Sequence, residues 1–376
     1  MPKTAFIYTD EFLKFDYGPG HPLKISRLKL VYELIQSYGL LNLPNTQLIK
    51  ARKATDEELL LFHKKEYIDI LRMADSGIEM PHAFFYGVGS GDNPIFKGLL
   101  GWSRLMTGAS LQAANLVESG EVDIAFNISG GLHHAMASKA SGFCYINDIV
   151  IAIISLLKKN KRIAYIDIDA HHGDGVQQAF YDSKQVLTIS IHETGEVLFP
   201  GTGFEYETGE GEGKGYSINI PMPPYSDDEL FIYAFNEVVP PLIEKFKPDI
   251  VVSQLGVDSF NSDPLAHLNY TNYGYCEVVK KIKAISPKWV ALGGGGYDIT
   301  NVAKAWTLAW AIMNNINLPD DIPEDYLKKY KKEGFTDNKL RDSEYIESSW
   351  RKDEMKAKID KVIDYLKKNT ILKTDN

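Results

Sequence analysis

Cysteines and long hydrophobic runs are both scarce in this sequence. Only two cysteines, Cys144 and Cys276, occur in 376 residues, which argues against a disulfide framework and favours a reducing, cytoplasmic location. We expect both in the core rather than as nucleophiles. No apolar run approaches the roughly 18 residues of a membrane span, and the first residues lack the apolar region of a secretory signal. We therefore expect no membrane association.

Positive charge is also in short supply. The chain carries 41 lysines and arginines against 50 acidic residues, a formal net charge of -9. This balance disfavours direct nucleic-acid binding and is compatible with a cationic substrate. The hydrophobic fraction of 44% is ample for a core. No pattern indicates an oligomeric state, an internal repeat or a linker.

Short β-branched runs alternate with helical patterns, as is typical of a parallel sheet with helices on both faces. The predicted strands are residues 4–8, 123–128, 162–168, 186–191, 249–255 and 289–292. The predicted helices are residues 24–38, 56–73, 102–119, 148–158, 228–246 and 302–314. We predict one α/β domain.

The tail becomes rich in lysine and acidic residues after Pro319. Apolar residues nevertheless keep helical spacing there, at Met355, Ile359, Val362, Ile363 and Leu366. We predict a catalytic domain over residues 1–320 and a charged, helical extension over residues 321–376 that packs on it. Partner binding by the extension is the alternative.

Residues 167–175 hold three carboxylates and two imidazoles directly behind the apolar run 163–166. In an extended segment Asp167, Asp169 and His171 project to the same side, where two of them can bind one ion. Burying such groups without an ion or another partner is strongly unfavourable. The pattern therefore predicts a metal site at a strand end, with an ordinary polar loop as the alternative.

Other unusual residues also follow predicted strands. Residues 130–134 read GGLHH, Asp258 follows the strand 249–255, and residues 293–297 read GGGGY. In open α/β sheets the ligand crevice lies outside the carboxyl ends of the strands. We therefore expect four segments, distant in sequence, to meet there.

Asp169, His171 and Asp258 are the predicted metal ligands. Two carboxylates and one imidazole leave a coordination position open for water or substrate, as a catalytic divalent ion requires. Zinc is the first choice, and ferrous iron or cobalt are alternatives for this oxygen-rich set. Too few cysteines lie nearby for a closed structural site.

His133 and His134 are interpreted as proton-transfer groups. Each needs a carboxylate to fix its tautomer, a role that Asp167 and Asp174 can fill. One of the two histidines could instead be a core residue. His172 is interpreted as structural, because its neighbour already takes the ligand-facing side.

Tyr297 follows four glycines, in a loop that can approach a ligand closely. Its phenol can donate a hydrogen bond to an oxyanion that forms on a substrate carbonyl. A phosphate-binding loop is disfavoured, because neither GxGxxG spacing nor a Walker lysine accompanies the glycines.

Together these motifs resemble those of the zinc-dependent histone deacetylase superfamily, in particular its prokaryotic branch near the acetoin-utilization deacetylases. They run in family order from about residue 17 to residue 310: GGLHHA at 130–135, SGFCYIND at 141–148, DIDAHHGDG at 167–175, FPGTG at 199–203, GVD at 256–258, DPL at 263–265 and GGGGY at 293–297.

The resemblance implies the arginase-like single-domain fold with a central, mostly parallel, eight-stranded sheet. It implies hydrolysis of the amide of acyl-lysine on a protein or peptide by metal-activated water. His134 would be the general base and acid, His133 its electrostatic partner, and Tyr297 the oxyanion donor. A potassium ion would lie next to Asp167, bound by backbone oxygens.

The resemblance also implies a narrow substrate tunnel. Two aromatic faces can enclose a lysine stem while its amide reaches the metal. Phe143 and Phe199 match the walls, Gly142 a backbone contact and Leu265 further lining, while Asp92 matches the rim carboxylate and Arg27 the internal product channel.

Three other functions stay open from the residues. An acetylpolyamine amidohydrolase would use the same chemistry. A binuclear manganese ureohydrolase shares the fold, but residues 259–263 lack the paired aspartates that it needs. A noncatalytic acyl-lysine binder is disfavoured because His133, His134 and Tyr297 are all present. Leu132, which is aromatic in some relatives, leaves the preferred substrate open.

Overall fold

The protein folds around one eight-stranded parallel sheet. A computed structural model describes residues 1–78, 80–335, 338–342 and 349–373. The strands are β1 (Thr4–Tyr8), β2 (Thr46–Lys50), β3 (Ile124–Asn127), β4 (Ile163–Asp167), β5 (Val186–Glu193), β6 (Ser217–Met222), β7 (Ile250–Gln254) and β8 (Trp289–Leu292). Their order in the sheet is β2-β1-β3-β8-β7-β4-β5-β6. The predicted single-domain α/β fold is confirmed.

Helices connect the strands and cover the sheet. They are α1 (Ser26–Ser37), α2 (Asp56–Leu59), α3 (Lys65–Asp75), α4 (Leu99–Glu118), α5 (Asp148–Leu157), α6 (Asp174–Phe180), α7 (Asp228–Phe246), α8 (Asn272–Ile285), α9 (Ile299–Met313), α10 (Glu324–Tyr330) and α11 (Ser349–Asn369). Every residue of the seven strands other than β2 is buried, as expected when helices pack on both faces of a parallel sheet.

All six predicted strands are present, and two further strands lie at the edges of the sheet. The sequence of β2, TQLIK, has only two apolar residues, and the strand is at most partly buried at one edge of the sheet. The sequence of β6, SINIPM, contains Pro221, a residue that is tolerated mainly in edge strands. Both were missed because an edge strand lacks the continuous apolar run of a buried parallel strand.

The prediction of a single helix over residues 56–73 is wrong. The structure has two helices there, α2 and α3, because the chain turns between them. The buried ring of His63 accepts a hydrogen bond from the backbone N–H of Asn147 (3.0 Å), and the Lys64 N–H donates to Ala137 (2.9 Å). These tertiary bonds override a helical pattern that local spacing alone suggests.

The C-terminal part of the chain packs against the same sheet. Helix α11 contacts α7 and β6, and the Tyr233 hydroxyl donates to Asp360 (2.6 Å). Its apolar residues Met355, Ile359 and Leu366 are buried, so this helix buries one face on the domain. None of the helices within the described ranges has the length and apolar character needed to cross a bilayer.

We predict that His63 makes the protein less stable in mild acid. Burial lowers the pKa of His63 to about 3, whereas in the unfolded chain an imidazole titrates near pH 6.5. As the pH falls below 6.5, His63 therefore binds a proton in the unfolded chain but stays neutral in the native state. The free energy of unfolding decreases as a result. Between pH 6.5 and pH 5 this effect amounts to about 2 kcal/mol.

The substitution His63→Gln tests this, because a glutamine carbonyl can still accept the Asn147 N–H but does not titrate. Urea unfolding of both proteins at pH 7, 6 and 5 should give a shallower loss of unfolding free energy for the variant. Equal slopes would contradict the assignment of this pH dependence to His63.

Candidate metal centre and substrate pocket

The four segments that were predicted to meet follow four adjacent strands of the sheet. They leave the carboxyl ends of β3, β8, β7 and β4, which lie side by side in that order. Because the sheet is parallel, all four ends open on the same edge. The loops 130–134, 293–297, 255–258 and 168–174 are therefore brought together by strand order alone.

Asp169, His171 and Asp258 meet at this edge. One ligand atom from each lies within 4.8 Å of the other two, and all three residues are buried. Nδ1 of His171 lies 2.9 Å from Asp258 Oδ2 and 3.2 Å from Asp169 Oδ1. Ligands on a tetrahedral ion with bonds of about 2.1 Å lie roughly 3.4 Å apart, so the three donors fit one divalent cation.

The electrostatics of this cluster also favour a cation. Burial alone would lower the pKa of His171, but the charges of Asp258 and Asp169 hold it well above its usual value. The two carboxylates thus stabilise positive charge at the point that they share. Among the described residues this is the one such group of three, which fits a mononuclear site better than the paired-metal site of a ureohydrolase.

Asp169 is held by one donor at the end of β7 and another on the loop after β8. Its Oδ2 accepts hydrogen bonds from Gln254 Nε2 (2.5 Å) and from the Gly295 backbone N–H (2.8 Å). A Cβ at Gly295 would lie only 2.0 Å from Asp258 Oδ2, so a side chain cannot be accommodated there. Gln254 was missed in the sequence, although a polar residue that ends a buried apolar strand was its signal.

Each histidine of the pair 133–134 is bonded to its own carboxylate. His133 Nδ1 donates to Asp167 (2.8 Å), and His134 Nδ1 donates to Asp174 (2.7 Å). The two rings lie 3.9 Å apart. Both imidazoles therefore keep Nε2 as the nitrogen that is free to act on a ligand.

The two imidazoles titrate in opposite directions. Burial would lower the pKa of His133, but the charges of Asp167 and Asp169 raise it to about 9. Burial and the charge of His133 lower the pKa of His134 to about 4, against the opposing effect of Asp174. At neutral pH this arrangement pairs a cationic His133 with a neutral His134, which can accept a proton.

Asp167 does not belong to the metal cluster, although the extended-strand argument put it on the same side as Asp169 and His171. Strand β4 ends at Asp167, so the alternation of side chains does not continue to Asp169 and His171. Asp167 Oδ2 accepts from the Tyr165 hydroxyl (2.6 Å) as well as from His133, and its Oδ1 accepts from the Asp169 N–H (3.1 Å). It therefore joins the histidine pair to the ligand loop.

Tyr297 lies at the same edge and remains protonated. Burial, with the charge of Asp258 adding to it, raises the pKa of its phenol well above the usual value. Its backbone N–H donates to Asp263 Oδ2 (2.7 Å). The buried guanidinium of Arg27 donates to the carbonyls of Gly296 (2.9 Å) and Gly294 (2.8 Å), which fixes the loop that carries the tyrosine.

A pocket of about 230 Å³ leads to these groups. Five of the six predicted substrate-binding residues line it, together with His134, His171 and Tyr297. The lining residues are Asp92, His134, Gly142, Phe143, His171, Leu198, Phe199, Leu265 and Tyr297. Asp92 is exposed, as expected at a rim. Arg27 does not line this pocket but lies behind the Tyr297 loop. Leu198 was missed, since it precedes a motif without belonging to it.

Gly142 and Phe143 form one wall through an unusual backbone. Gly142 has a φ of +49°, and a Cβ there would lie 2.4 Å from the His134 ring. Phe143 also has a positive φ, +67°, which a bulky residue rarely adopts. Its carbonyl accepts from the Tyr17 hydroxyl (2.7 Å), and its ring contacts that of Tyr297 at 5.6 Å. These contacts fix the position of this wall of the pocket.

The remaining candidates lie outside the pocket lining. His172 is buried and bonded to Thr202 (2.9 Å) and Gln177 (3.2 Å), an environment typical of a structural residue. Cys144 is buried, while Cys276 is only partly buried and lines a surface groove of about 680 Å³. Burial raises the pKa of the Cys276 thiol to about 12 and that of Cys144 well above its usual value. Neither has the lowered pKa of a nucleophile.

Comparisons with known proteins agree on one family. The model of the histone deacetylase domain matches residues 21–313. The chain is 39% identical over 341 residues to the acetoin utilization protein AcuC of Bacillus subtilis, covering 89% of this chain and 88% of that protein. It is 39% identical over 331 residues to histone deacetylase RPD3 of Saccharomyces cerevisiae, covering 87% of this chain and 76% of that protein.

A third relative is considerably longer. Type-1 histone deacetylase 1 of Dictyostelium discoideum is 39% identical over 331 residues, which cover 87% of this chain but 66% of the relative.

Two solved structures have the same fold. A crystal structure of a histone deacetylase homologue from Aquifex aeolicus superimposes with a TM-score of 0.89 at 35% identity, covering 97% of this chain and 100% of that one. A homologue complexed with SAHA gives a TM-score of 0.88 with the same identity and coverage.

We predict that Asp258→Asn abolishes tight binding of a divalent ion. The substitution keeps the shape of the side chain but removes one of the two anionic ligands, so affinity for zinc should fall by more than about 100-fold. The bound metal is measured by elemental analysis after dialysis against buffered zinc. Asp92→Asn, at the rim, is the matched control and should keep wild-type content. Stoichiometric zinc in Asp258→Asn would refute the proposed ligand set.

Proposed function

The chain belongs to the histone deacetylase family, and we propose that it hydrolyses the amide of acyl-lysine on proteins or peptides. One observation carries this proposal: two His–Asp pairs, an Asp–His–Asp cluster and a protonated phenol lie at a single pocket with aromatic walls. Each of these groups has a distinct task in hydrolysing an amide. A noncatalytic binder would need the walls but not the histidine pairs.

The pocket suits an extended side chain with a neutral end. Phe143 and Phe199 contribute aromatic faces, and Leu198 and Leu265 contribute aliphatic surface. These groups can bury the methylene stem of a lysine by hydrophobic contact. Acylation removes the charge of the lysine nitrogen, so its amide can enter where an ammonium would be poorly solvated. Asp92, exposed at the rim, would accept hydrogen bonds from the substrate backbone.

We propose zinc as the ion held by Asp169, His171 and Asp258, with ferrous iron or cobalt as alternatives. Such an ion would polarise the acyl carbonyl and lower the pKa of a water molecule. We also propose a potassium ion beside Asp167. Membership of the histone deacetylase family supports this proposal.

His134 acts as the general base and then as the general acid. Its neutral ring can take a proton from the attacking water on Nε2, because Asp174 holds Nδ1. The proton then passes to the leaving lysine amine. His133, held cationic by Asp167, stabilises the negative charge that develops next to it. Asp174 thus fixes the tautomer of His134, and Asp167 stabilises the cation of His133.

Tyr297 stabilises the tetrahedral intermediate. Its phenol remains protonated at working pH and can donate a hydrogen bond to the oxyanion that the carbonyl becomes. The bonds of Asp263 and Arg27 to the surrounding loop keep this donor in place. Arg27, buried behind the loop, is also proposed to line the route by which the acid product leaves.

Residues 1–320 are proposed as the catalytic domain, since all of these groups lie within them. Residues 321–376 are proposed as an extension that packs on it. The contacts of α11 with α7 and β6 support this.

The test is turnover of acyl-lysine peptides by zinc-loaded protein. Peptides with acetyl, propionyl, butyryl, lactoyl and crotonyl lysine, assayed beside acetylputrescine, separate a protein deacylase from a polyamine amidohydrolase. Binding of an acetylated peptide without turnover would instead support a noncatalytic binder. Chelator-treated protein that works at the original rate would overturn the metal-dependent mechanism.

We predict that Tyr297→Phe slows catalysis without loss of metal. The substitution removes one oxyanion donor and leaves the cluster of ligands intact, so kcat should fall by about 100- to 1000-fold. Steady-state kinetics and elemental analysis measure the two effects. Full activity in this variant would remove the proposed role of the phenol.

A further inference from the structure

Glu193 is a fully buried carboxylate whose two oxygens both bind one residue. It ends strand β5, and its side chain has no solvent exposure. Its Oε2 accepts from the backbone N–H of His267 (2.7 Å), and its Oε1 accepts from His267 Nδ1 (2.9 Å). Since a carboxylate only accepts, the imidazole must carry its proton on Nδ1 here.

Glu193 also joins this contact to the ligand loop. Its backbone N–H donates to the carbonyl of Ala170 (2.9 Å), which lies between Asp169 and His171. One residue therefore anchors the loop with the metal ligands through its main chain and the segment at His267 through its side chain.

The segment held by Glu193 carries a wall of the pocket. Leu265 lies two residues before His267 and lines the pocket. Its side chain has no catalytic role of its own. Its backbone N–H donates to Asp263 Oδ1 (3.0 Å), while Asp263 Oδ2 accepts from the Tyr297 N–H (2.7 Å). The short segment 263–267 is thus fixed at both ends by a buried carboxylate.

His267 is held from the other side as well. Its carbonyl accepts from the backbone N–H of Tyr225 (2.8 Å). Its imidazole is 53% exposed while Glu193 is buried, so the ring covers the carboxylate from solvent. Loss of the ring nitrogen under a retained cover would leave the buried Glu193 carboxylate short of a donor, which is strongly unfavourable.

We infer that Glu193 and His267 are a positioning pair that sets the wall contributed by Leu265 and thereby the binding of the acyl-lysine stem. The inference rests on the proposed function. The side chains of Glu193 and His267 hydrogen-bond to each other, and neither hydrogen-bonds to a metal ligand or to the pair His133 and His134. Moving this wall therefore weakens contact with the stem, which changes KM, while the groups that perform the chemistry keep their positions and kcat is retained.

The pair is tested with His267→Phe and His267→Asn. Phenylalanine keeps a ring over Glu193 but has no donor, whereas the asparagine amide nitrogen can occupy the place of imidazole Nδ1. His267→Phe should raise KM for an acetyl-lysine peptide about tenfold, with kcat within about twofold of wild type. His267→Asn should restore a near-wild-type KM. His82→Phe changes another exposed histidine and is the matched control.

Hydrogen exchange of the amides in residues 263–268 provides a readout that does not depend on turnover. Exchange should rise in His267→Phe and return towards wild type in His267→Asn. Glu193→Gln, which turns one acceptor into a donor, should raise KM and exchange as His267→Phe does, and it serves if His267→Phe fails to fold.

The failures of the two proposals are distinct. A wild-type protein that turns over no acyl-lysine substrate would refute the proposed function and this inference with it. An active wild type would refute only the positioning pair in any of three cases: an unchanged KM in His267→Phe, a loss of kcat in place of KM, or His267→Asn behaving like His267→Phe.

Discussion

Two buried carboxylates that face the same imidazole nitrogen impose the main constraint on this structure. Asp169 and Asp258 both lie within 3.2 Å of Nδ1 of His171, in a place that solvent does not reach. Such a concentration of negative charge is stable only when positive charge and hydrogen-bond donors surround it. A divalent cation would meet the first need, and the amides of the neighbouring loops meet the second.

The parallel sheet is what makes so many donors available at one point. Loops from four adjacent strands leave the same edge, and those after β4 and β8 present backbone N–H groups to carboxylates. Ala170 donates to Asp258 (2.9 Å), Gly295 to Asp169 (2.8 Å) and Tyr297 to Asp263 (2.7 Å). The same bonds that stabilise the acidic groups therefore also fix the loops that form the pocket. The same backbone hydrogen bonds therefore contribute both to stability and to the placement of the groups that are proposed to react.

The hydrophobic pattern of the sequence predicted secondary structure correctly where burial of apolar side chains was the dominant interaction. Buried strands such as β4 and β7 read as apolar runs, because both faces of the sheet are covered. The pattern failed where two tertiary contacts compete with it, as at His63, whose bond to Asn147 accompanies the break between α2 and α3. It also failed at β2, an edge strand whose mixed composition looks like a loop.

The sequence by itself determined the α/β class, the six central strands and the residue types that can bind a metal and move protons. These follow from hydrophobic period and side-chain chemistry, which are local properties. Only the tertiary structure decided that Asp167 pairs with His133 rather than with His134, that Gln254 supports Asp169, and that Glu193 reaches His267. Those pairings join residues up to 85 positions apart, and strand order in space, which local spacing does not encode, brings them together.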